Sequence, residues 1–268
     1  MNSETIANQF ARMGARFRIV RPEDLPRNRR RTDYALDLTS DRHGQIFELQ
    51  LSAEREAQLE INVMQCQRDE RHLLLLVKTP EAKDRFLCGH DEREWFVAAV
   101  PGGASSVAQA KEALQPAPVR QAANAAGLDQ RQRFRRHNRA FIRQGEWFFV
   151  PAPEMEESPV GILRNEPMRR GGGKPHIVAE LYRSGGETVF VSTKLPNGIS
   201  EEEYRRLVSL KPEAKYWGWR TMRRNAAVYV RGTVRHLDHA TITLRGWHTV
   251  WMNTETTTRQ MANVAFLD

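Results

Sequence analysis

The residue pattern between Val228 and Asn253 constrains the fold more than any other part of the chain. The β-branched, alternating residues from Val228 to Arg235 are typical of a strand. Residues 236–239, His-Leu-Asp-His, have the length and the aspartate of a tight turn. A second reversal at Arg245-Gly246 would return the chain once more. The pattern therefore predicts a three-stranded antiparallel meander.

A period of two assigns the side chains of this meander to two faces. Aromatic and aliphatic residues form the predicted core face: Ala240, Ile242, Leu244, Trp247 and Trp251. The opposite face is the predicted working surface: Val230, Gly232, Val234, His236, His239, Thr241, Thr243, His248 and Val250. In this register His248 pairs with Thr243 and lies beside Gly232, whose missing side chain leaves a notch for a ligand.

Three histidines of this surface, His236, His239 and His248, are candidate catalytic residues. His236 and His239 flank the predicted turn, so their Cα atoms are expected within about 7 Å of each other. They could share a metal ion, or act without one as an acid and base pair in phosphodiester cleavage. His248 is expected on the order of 13 Å from His239, which excludes one ion bound by all three. A hydrogen-bonded structural role is the alternative for each.

Composition indicates an ordinary globular chain with a strongly basic balance. Of 268 residues, 40% are hydrophobic and 28% charged, which does not fit a disordered or membrane class. The longest aliphatic run, residues 73–77, is too short to span a bilayer, and the amino terminus lacks the apolar core of a signal peptide. With only two cysteines, a reduced cytoplasmic location is expected. The net charge of +8 favours a nucleic-acid partner.

The order of the patterns predicts an α+β fold of two domains, each a small, mostly antiparallel sheet with a few helices, joined by a basic helical segment. The predicted units are a β-rich amino-terminal domain (1–104), a helical arginine-rich bridge (105–144) and an α+β carboxy-terminal domain (145–268) that ends in the meander. Prolines at 116 and 118 interrupt the alanine-rich part of the bridge.

Residues 34–51 predict a hairpin in which Asp37 lies opposite Glu48 on the outer face. Like charges across a ladder repel, so this pair is either splayed into water or holds a divalent cation. A carboxylate two residues before a lysine is what many magnesium-dependent nucleases use, although Gln50 occupies the lysine position here. Asp37 and Glu48 are therefore the candidate metal ligands.

Three basic segments are candidates for contact with nucleic acid. The first, residues 129–144, is predicted as a helix pinned by apolar residues, with an outward ridge of guanidinium groups that can follow a phosphate backbone. The ridge consists of Arg135, Arg136, Arg139 and Arg143, and Arg131 is a further candidate contact of the same segment. The alternative is a solvated basic helix paired with acids elsewhere.

The second segment combines Arg169, Arg170, three glycines and Lys174, just before Pro175. If Pro175 begins a helix over HIVAELYRS, free amides and flanking cations make a phosphate cradle, although a mobile loop fits equally well. In the third segment, residues 215–224, aromatic rings alternate with cations as in binders of single strands. Its candidates are Trp217, Trp219, Arg220, Arg223 and Arg224, with a core role as the alternative for the tryptophans.

These segments predict a protein that binds nucleic acid, RNA or single-stranded DNA rather than duplex. The first alternative is a nuclease or other phosphodiesterase that uses the histidine cluster or a carboxylate-bound metal. The second is a scaffold that binds an acidic protein partner through the same charges. A divalent metal is the one cofactor that the residues suggest, no membrane partner is expected, and the pattern does not determine the oligomeric state.

Overall fold

The computed structural model describes residues 3–30, 34–156, 161–170 and 173–255. The fold is mixed α+β with mostly antiparallel sheets, as predicted. Contacts between Cα atoms cluster into two compact units. Unit 1 contains the described residues up to Arg120 together with 253–255, and unit 2 contains those from Gln121 to Met252. The segment predicted as a bridge, 105–144, is divided between the two units.

The described strands occur in consecutive runs, with helices between the runs. The helices are α1 (Ser3–Arg12), α2 (Ala53–Glu56), α3 (Val107–Ala113), α4 (Ala117–Ala125), α5 (Gln130–Arg133) and α6 (Glu201–Leu210). The strands of unit 1 are β1 (Phe17–Val20), β2 (Ala35–Asp41), β3 (Gly44–Gln50), β4 (Glu60–Gln67), β5 (His72–Lys78), β6 (Lys83–Asp91) and β7 (Glu94–Ala99). The strands of unit 2 are β8 (Ile142–Gln144), β9 (Trp147–Pro151), β10 (Leu163–Met168), β11 (His176–Ser184), β12 (Glu187–Ser192), β13 (Leu195–Ile199), β14 (Arg220–Arg224), β15 (Ala227–Arg235) and β16 (Ile242–Met252).

Unit 1 is built from a three-stranded sheet, β1-β3-β2, and a four-stranded meander, β4-β5-β6-β7. Strand β1 runs parallel to β3. Side chains of β5 alternate between the two faces of the meander. Leu73 and Leu75 belong to one hydrophobic core, and Leu74 belongs to a second core that includes residues of α3. The predicted hairpin β2-β3 is present, with Asp37 opposite Glu48 as expected.

The outer face of that hairpin is not the wet surface that was expected. Glu48 and Gln50 are buried, and both oxygens of the Glu48 carboxylate accept hydrogen bonds from guanidinium groups. Arg18 donates at 2.6 Å and 3.0 Å, and Arg29 donates at 2.6 Å. The pairing of β1 alongside β3 could not be predicted from the hairpin alone, and it places Arg18 directly beside Glu48.

Unit 2 contains a six-stranded sheet, β10-β11-β15-β16-β9-β8, and a three-stranded sheet, β13-β12-β14. One long antiparallel ribbon belongs to both sheets. Ser184 pairs with Ala227 in the first sheet and Glu187 pairs with Arg224 in the second, so the two ladders are in one register. Residues 187–224 are thus an insertion, here called the inserted module, at the tip of the β11-β15 hairpin.

The meander prediction was wrong in its last reversal. Residues 242–252 form one strand, β16, and at Arg245-Gly246 this strand bulges opposite β15 instead of turning back. Gly246 has a φ of +79°, a value that serves a bulge as well as a turn. The assignment of faces was wrong as well, because Val234 pairs with Ile242 and both are buried in one core with Val230.

Two predicted helices are not formed. The segment HIVAELYRS is strand β11, paired on both sides, so there is no helix start to cradle phosphate after Lys174. Short apolar runs of this kind fit strand and helix alike, and pairing decides between them. In the arginine-rich segment only Gln130–Arg133 is helical, and the chain then passes into strand β8.

Helix α6 begins and ends at local sequence signals. Ser200 and Glu203 form a capping box at its start, and the helix ends before Pro212. Tyr204 packs on Phe190 of β12, whereas Leu210 is 72% exposed. In the described ranges no helix combines the length and the apolar character that crossing a membrane requires.

Candidate metal centre

Three histidines of unit 2 come together where β11 begins and β15 ends. His176 is the first residue of β11, and its neighbour Ile177 pairs with Arg235, the last residue of β15. The chain leaves β15 through the loop 236–239, which carries His236 and His239. The strand register therefore delivers both loop histidines to the side chain of His176.

The three imidazole rings lie face to face. The ring centroids of His176 and His236 are 4.1 Å apart, those of His236 and His239 are 4.7 Å apart, and those of His176 and His239 are 5.7 Å apart. One nitrogen from each ring can be chosen so that all three atoms lie within 4.8 Å of one another. In the part of the chain that the structure describes, no other group of three histidine, cysteine or acidic side chains meets this condition.

His176 is the buried member of the group and lacks polar partners. Its side chain is 1% exposed, and neither Nδ1 nor Nε2 has a hydrogen-bond partner. A buried polar atom without a partner costs about 1–3 kcal/mol, so such atoms are rare unless a ligand satisfies them. Burial, with His236 and His239 nearby, lowers the pKa of His176 to about 3. The ring therefore stays neutral, the form that binds metals.

His236 and His239 are half-buried and open the site to one side. The backbone amide of Asp238 donates to Nδ1 of His236 at 3.1 Å, which places the proton of the neutral ring on Nε2. Burial and the neighbouring His239 lower the pKa of His236 as well. Lys174 Nζ binds Asp238 Oδ1 at 2.8 Å and so fixes the loop between the two histidines.

The turn between β8 and β9 closes the other side of the cluster. Gly145 has a φ of +58°, and a Cβ atom there would lie 2.8 Å from Nε2 of His239 and 3.5 Å from Nε2 of His176. The absent side chain thus leaves space that two imidazole nitrogens border. Arg143 donates to the carbonyl oxygen of Gly145 at 3.4 Å, which brings a guanidinium group to this turn.

Gln144 holds the histidine loop at both ends. This residue is fully buried, and its Nε2 donates to the carbonyl oxygens of Ala240 at 2.7 Å and Val234 at 3.3 Å. Both acceptors flank the loop 236–239. Gln144 therefore positions the two loop histidines relative to His176 without belonging to the cluster.

The residues fit a transition-metal ion such as Zn²⁺. Three neutral imidazoles with one open position make a common catalytic zinc set, in which nitrogens at 2.0–2.1 Å from the metal are roughly 3.3 Å apart. The nitrogens now lie within 4.8 Å of one another, so they would approach by up to about 1.5 Å, and the stacked rings would turn so that their in-plane lone pairs converge on the ion. The hydrogen bond that His236 would give up is worth about 0.5–1.5 kcal/mol, whereas structural zinc sites gain about 10–16 kcal/mol.

Comparison of this chain with protein-family models, curated proteins and solved structures gives no match. Any functional argument therefore depends on the site itself.

The other predicted site residues lie elsewhere or have other partners. His248 pairs with Val230 in the sheet and is 4% exposed, and its Nδ1 donates to the carbonyl oxygen of Gly246 at 3.0 Å. Burial lowers the pKa of His248. Gly232 does line a cavity of about 470 Å³, as its notch predicted, but the residue opposite it is Leu244 rather than His248.

The candidate carboxylate ligands have partners of their own. Glu48 binds Arg18 and Arg29, and Asp37 accepts a hydrogen bond from Gln50 at 3.3 Å. Two guanidinium groups already balance the charge that a cation would meet at Glu48. The contacts favour an arginine-binding role for this carboxylate within unit 1.

Two of the three basic segments lead directly into the histidine cluster. Arg143 precedes Gly145 by two residues, and Lys174 precedes His176 by two. Arg131, Arg135, Arg139 and Arg169 are exposed, while Arg136 and Arg170 are half-buried. The third segment belongs to the inserted module, where Trp217 and Trp219 stack with ring centroids 6.1 Å apart. Arg224 is bound to Glu187 there, and Arg223 donates to Gly185.

His176 is the ligand that the sequence did not reveal. It lies 60 positions before His236, inside a segment that was predicted as a helix. The sequence analysis missed His176 because it assigned this segment to a helix. In a strand, the side chain of the first residue points to one defined face of the sheet. With β11 read as a strand, the pairing of β11 with β15 would have been enough to place His176 near the loop.

Proposed function

We propose that this protein is a metal-dependent phosphodiesterase that acts on nucleic acid, with Zn²⁺ or a similar ion bound by His176, His236 and His239. The observation that carries the proposal is the buried, neutral His176 ring, whose two nitrogens lack partners and which faces two further imidazoles. A metal ion with an open position polarises a phosphoryl oxygen and provides hydroxide from water near neutral pH.

The chain supplies the other requirements of the reaction. Water oxygen attacks phosphorus, one P–O ester bond breaks, and the alcohol leaves with a proton, so a phosphomonoester and an alcohol result. Arg143, which contacts the turn of the cluster, is a nearby cation for the remaining phosphoryl oxygens, whereas the charge of Lys174 is balanced by Asp238. The exposed arginines of residues 131–139 lie before this site in the chain and suit the flanking phosphates.

The test combines metal content with cleavage. Metal-free protein is titrated with Zn²⁺, Mn²⁺ and Mg²⁺, and labelled single-stranded RNA, single-stranded DNA and duplex are then incubated with each form. We expect one zinc ion per chain and cleavage that EDTA abolishes. The double variant His236→Ala/His239→Ala should lose both, whereas His43→Ala, at an exposed histidine of the β2-β3 turn, should keep both.

Two other outcomes would replace the proposal. Cleavage that resists EDTA but is lost in the double variant would assign the reaction to a metal-free histidine pair, for which the closely stacked rings of His236 and His239 are suited. A gel shift without cleavage under any condition would leave a nucleic-acid-binding protein. Absence of bound zinc in the parent protein would refute the metal centre.

A further inference from the structure

The inserted module carries a column of aromatic rings that ends at its surface. Phe190 of β12 stacks on Tyr204 of α6 at 4.6 Å, and Tyr204 meets the edge of Trp219 at 5.1 Å. Trp219 stacks on Trp217 at 6.1 Å and is tied down by its indole nitrogen, which donates to the carbonyl oxygen of Ala214 at 2.7 Å. The last rings of the column therefore have a fixed orientation.

Two groups lie against the ring of Trp217. Trp219 lies along one side, with an angle of 20° between the planes, and Lys194 Nζ lies 4.3 Å from the centroid of the ring. An ammonium group at this distance is held by the quadrupole of the indole. Trp217 thus holds a cation over its ring, and a base that stacks on that face would compete with Lys194.

Tyr216 is the aromatic residue that remains available. Its side chain is 83% exposed, the most exposed of the large apolar or aromatic side chains in the described residues. It follows Lys215 and precedes Trp217 at the end of a short 3-10 helix, Pro212–Tyr216. An exposed ring of this size is unfavourable in water, and it is common where one ring face awaits a partner.

Three cations adjoin the aromatic residues of the module, one in space and two along the chain. Lys194 is on Trp217, and Lys215 and Arg220 are both exposed on either side of the aromatic pair in the chain. Arg224, at the far end of β14, is already bound to Glu187. Lys215 and Arg220 thus present exposed positive charge within four residues of Tyr216 in the chain, where Glu213 is exposed as well, and such cations beside an exposed ring suit a phosphate backbone.

We propose that Lys194, Lys215, Tyr216, Trp217 and Arg220 form a binding platform for single-stranded nucleic acid, with one base stacked on Tyr216 and the phosphates against the three cations. This inference rests on the proposed function in taking nucleic acid as the substrate, but it requires no metal. Bases of duplex are stacked on one another already, so the platform selects single strands.

The test measures binding in EDTA, where no metal-dependent cleavage occurs. Fluorescence anisotropy of labelled oligo-dT and oligo-U is followed with the parent protein and with Tyr216→Ala, Tyr216→Phe and Leu210→Ala. Loss of one stacked base corresponds to about 5- to 150-fold weaker binding. We expect that loss for Tyr216→Ala, near-parent binding for Tyr216→Phe, and no change for Leu210→Ala, which removes an equally exposed side chain from the same module.

The salt dependence supplies a second readout. Lys194→Ala and Arg220→Ala should each reduce the slope of log affinity against log salt by roughly 0.7, whereas Tyr216→Ala should leave the slope unchanged. Equal affinities of Tyr216→Ala and Leu210→Ala for both oligonucleotides would overturn the platform. Tighter binding of duplex than of single strands would also overturn the platform. Competition of polyglutamate with oligo-dT would overturn it in favour of an acidic protein partner.

Failure of the platform and failure of the proposed function are distinguishable. Cleavage with zinc, combined with unaltered binding by Tyr216→Ala, would refute the platform alone. Weaker binding by Tyr216→Ala without cleavage under any metal condition would support the platform and refute the phosphodiesterase.

Discussion

Replacement of His176 by phenylalanine should stabilise the protein in the absence of metal and make it unable to bind zinc. The imidazole is 1% exposed and neither nitrogen has a partner, so its donor and its acceptor each carry an unmet desolvation cost of about 1–3 kcal/mol. Phenylalanine removes both costs. Its slightly larger ring costs about 1–3 kcal/mol through crowding, so the middle of the two ranges gives a net gain in unfolding free energy of about 2 kcal/mol.

Zinc should reverse this order. At a free concentration 100 times Kd, a ligand that binds only the folded state adds about 2.7 kcal/mol to the unfolding free energy. The parent protein gains this amount and His176→Phe gains none. With zinc the parent should therefore be the more stable by about 1 kcal/mol, and in EDTA the less stable.

Urea unfolding followed by tryptophan fluorescence measures both effects, because Trp147 is fully buried and its ring lies 6.2 Å from that of His176. His248→Phe is the matched control, since His248 is also buried but donates to Gly246 at 3.0 Å. This control should lose about 1 kcal/mol and keep the full zinc effect. If His176→Phe is less stable than the parent in EDTA, the ring has polar partners and the reasoning is refuted.

Four further changes test the surroundings of the site and the interior of unit 1. Gly145→Ala should weaken zinc binding about 10- to 100-fold, because the new Cβ would lie 2.8 Å from Nε2 of His239. The control Gly127→Ala has nearly the same φ and meets nothing closer than 3.8 Å, so it should leave zinc binding unaltered. Equal zinc affinities of the two variants would contradict this prediction. Gly232→Ala should weaken zinc binding, because the new Cβ would lie 2.9 Å from Ala179 and would disturb the β11-β15 register that aligns His176 with the histidine loop. Gly246→Ala, with a similar φ and no atom within 4 Å, should leave zinc binding unaltered in the same titration. Glu48→Gln should lower the unfolding free energy by about 3 kcal/mol without altering metal content, and a loss of bound metal would instead favour the carboxylate site. Cys88 should resist iodoacetamide in the native protein, because burial raises the pKa of its thiol. The less buried Cys66 should react slowly. Equal modification of both thiols, measured by mass spectrometry, would contradict the packing of unit 1.

Local signals predicted the elements whose structure is decided locally. The capping box of Ser200 and Glu203 lies within four consecutive residues of the sequence, and it marks the start of helix α6. The β2-β3 hairpin closes over a two-residue turn, so the pairing of Asp37 with Glu48 followed from alternation alone. The burial of Glu48 depends on β1, a strand from a distant part of the chain, and no local pattern contains it.

The histidine cluster was half predicted for the same reason. His236 and His239 share one loop, and their proximity follows from its length. His176 joins them only through the pairing of β11 with β15, and the run HIVAELYRS fits a helix as well as a strand. Gly246 was similarly ambiguous, because a positive φ serves a reversal and a bulge equally.

A single bulge in that pairing sets the geometry of the site. From Ser184 to Glu180 the partners follow one register, in which Glu180 faces Arg231, and before Glu180 the register shifts by one residue, so that Val178 faces Val234. Without the shift, His176 would continue the ladder opposite Arg235. With it, the position opposite His176 is His236, the first residue after β15, and the two rings lie 4.1 Å apart. The extra residue of the bulge lies in β15, and paired residues share a face, so the bulge is what brings the side chain of His236 to the face of His176.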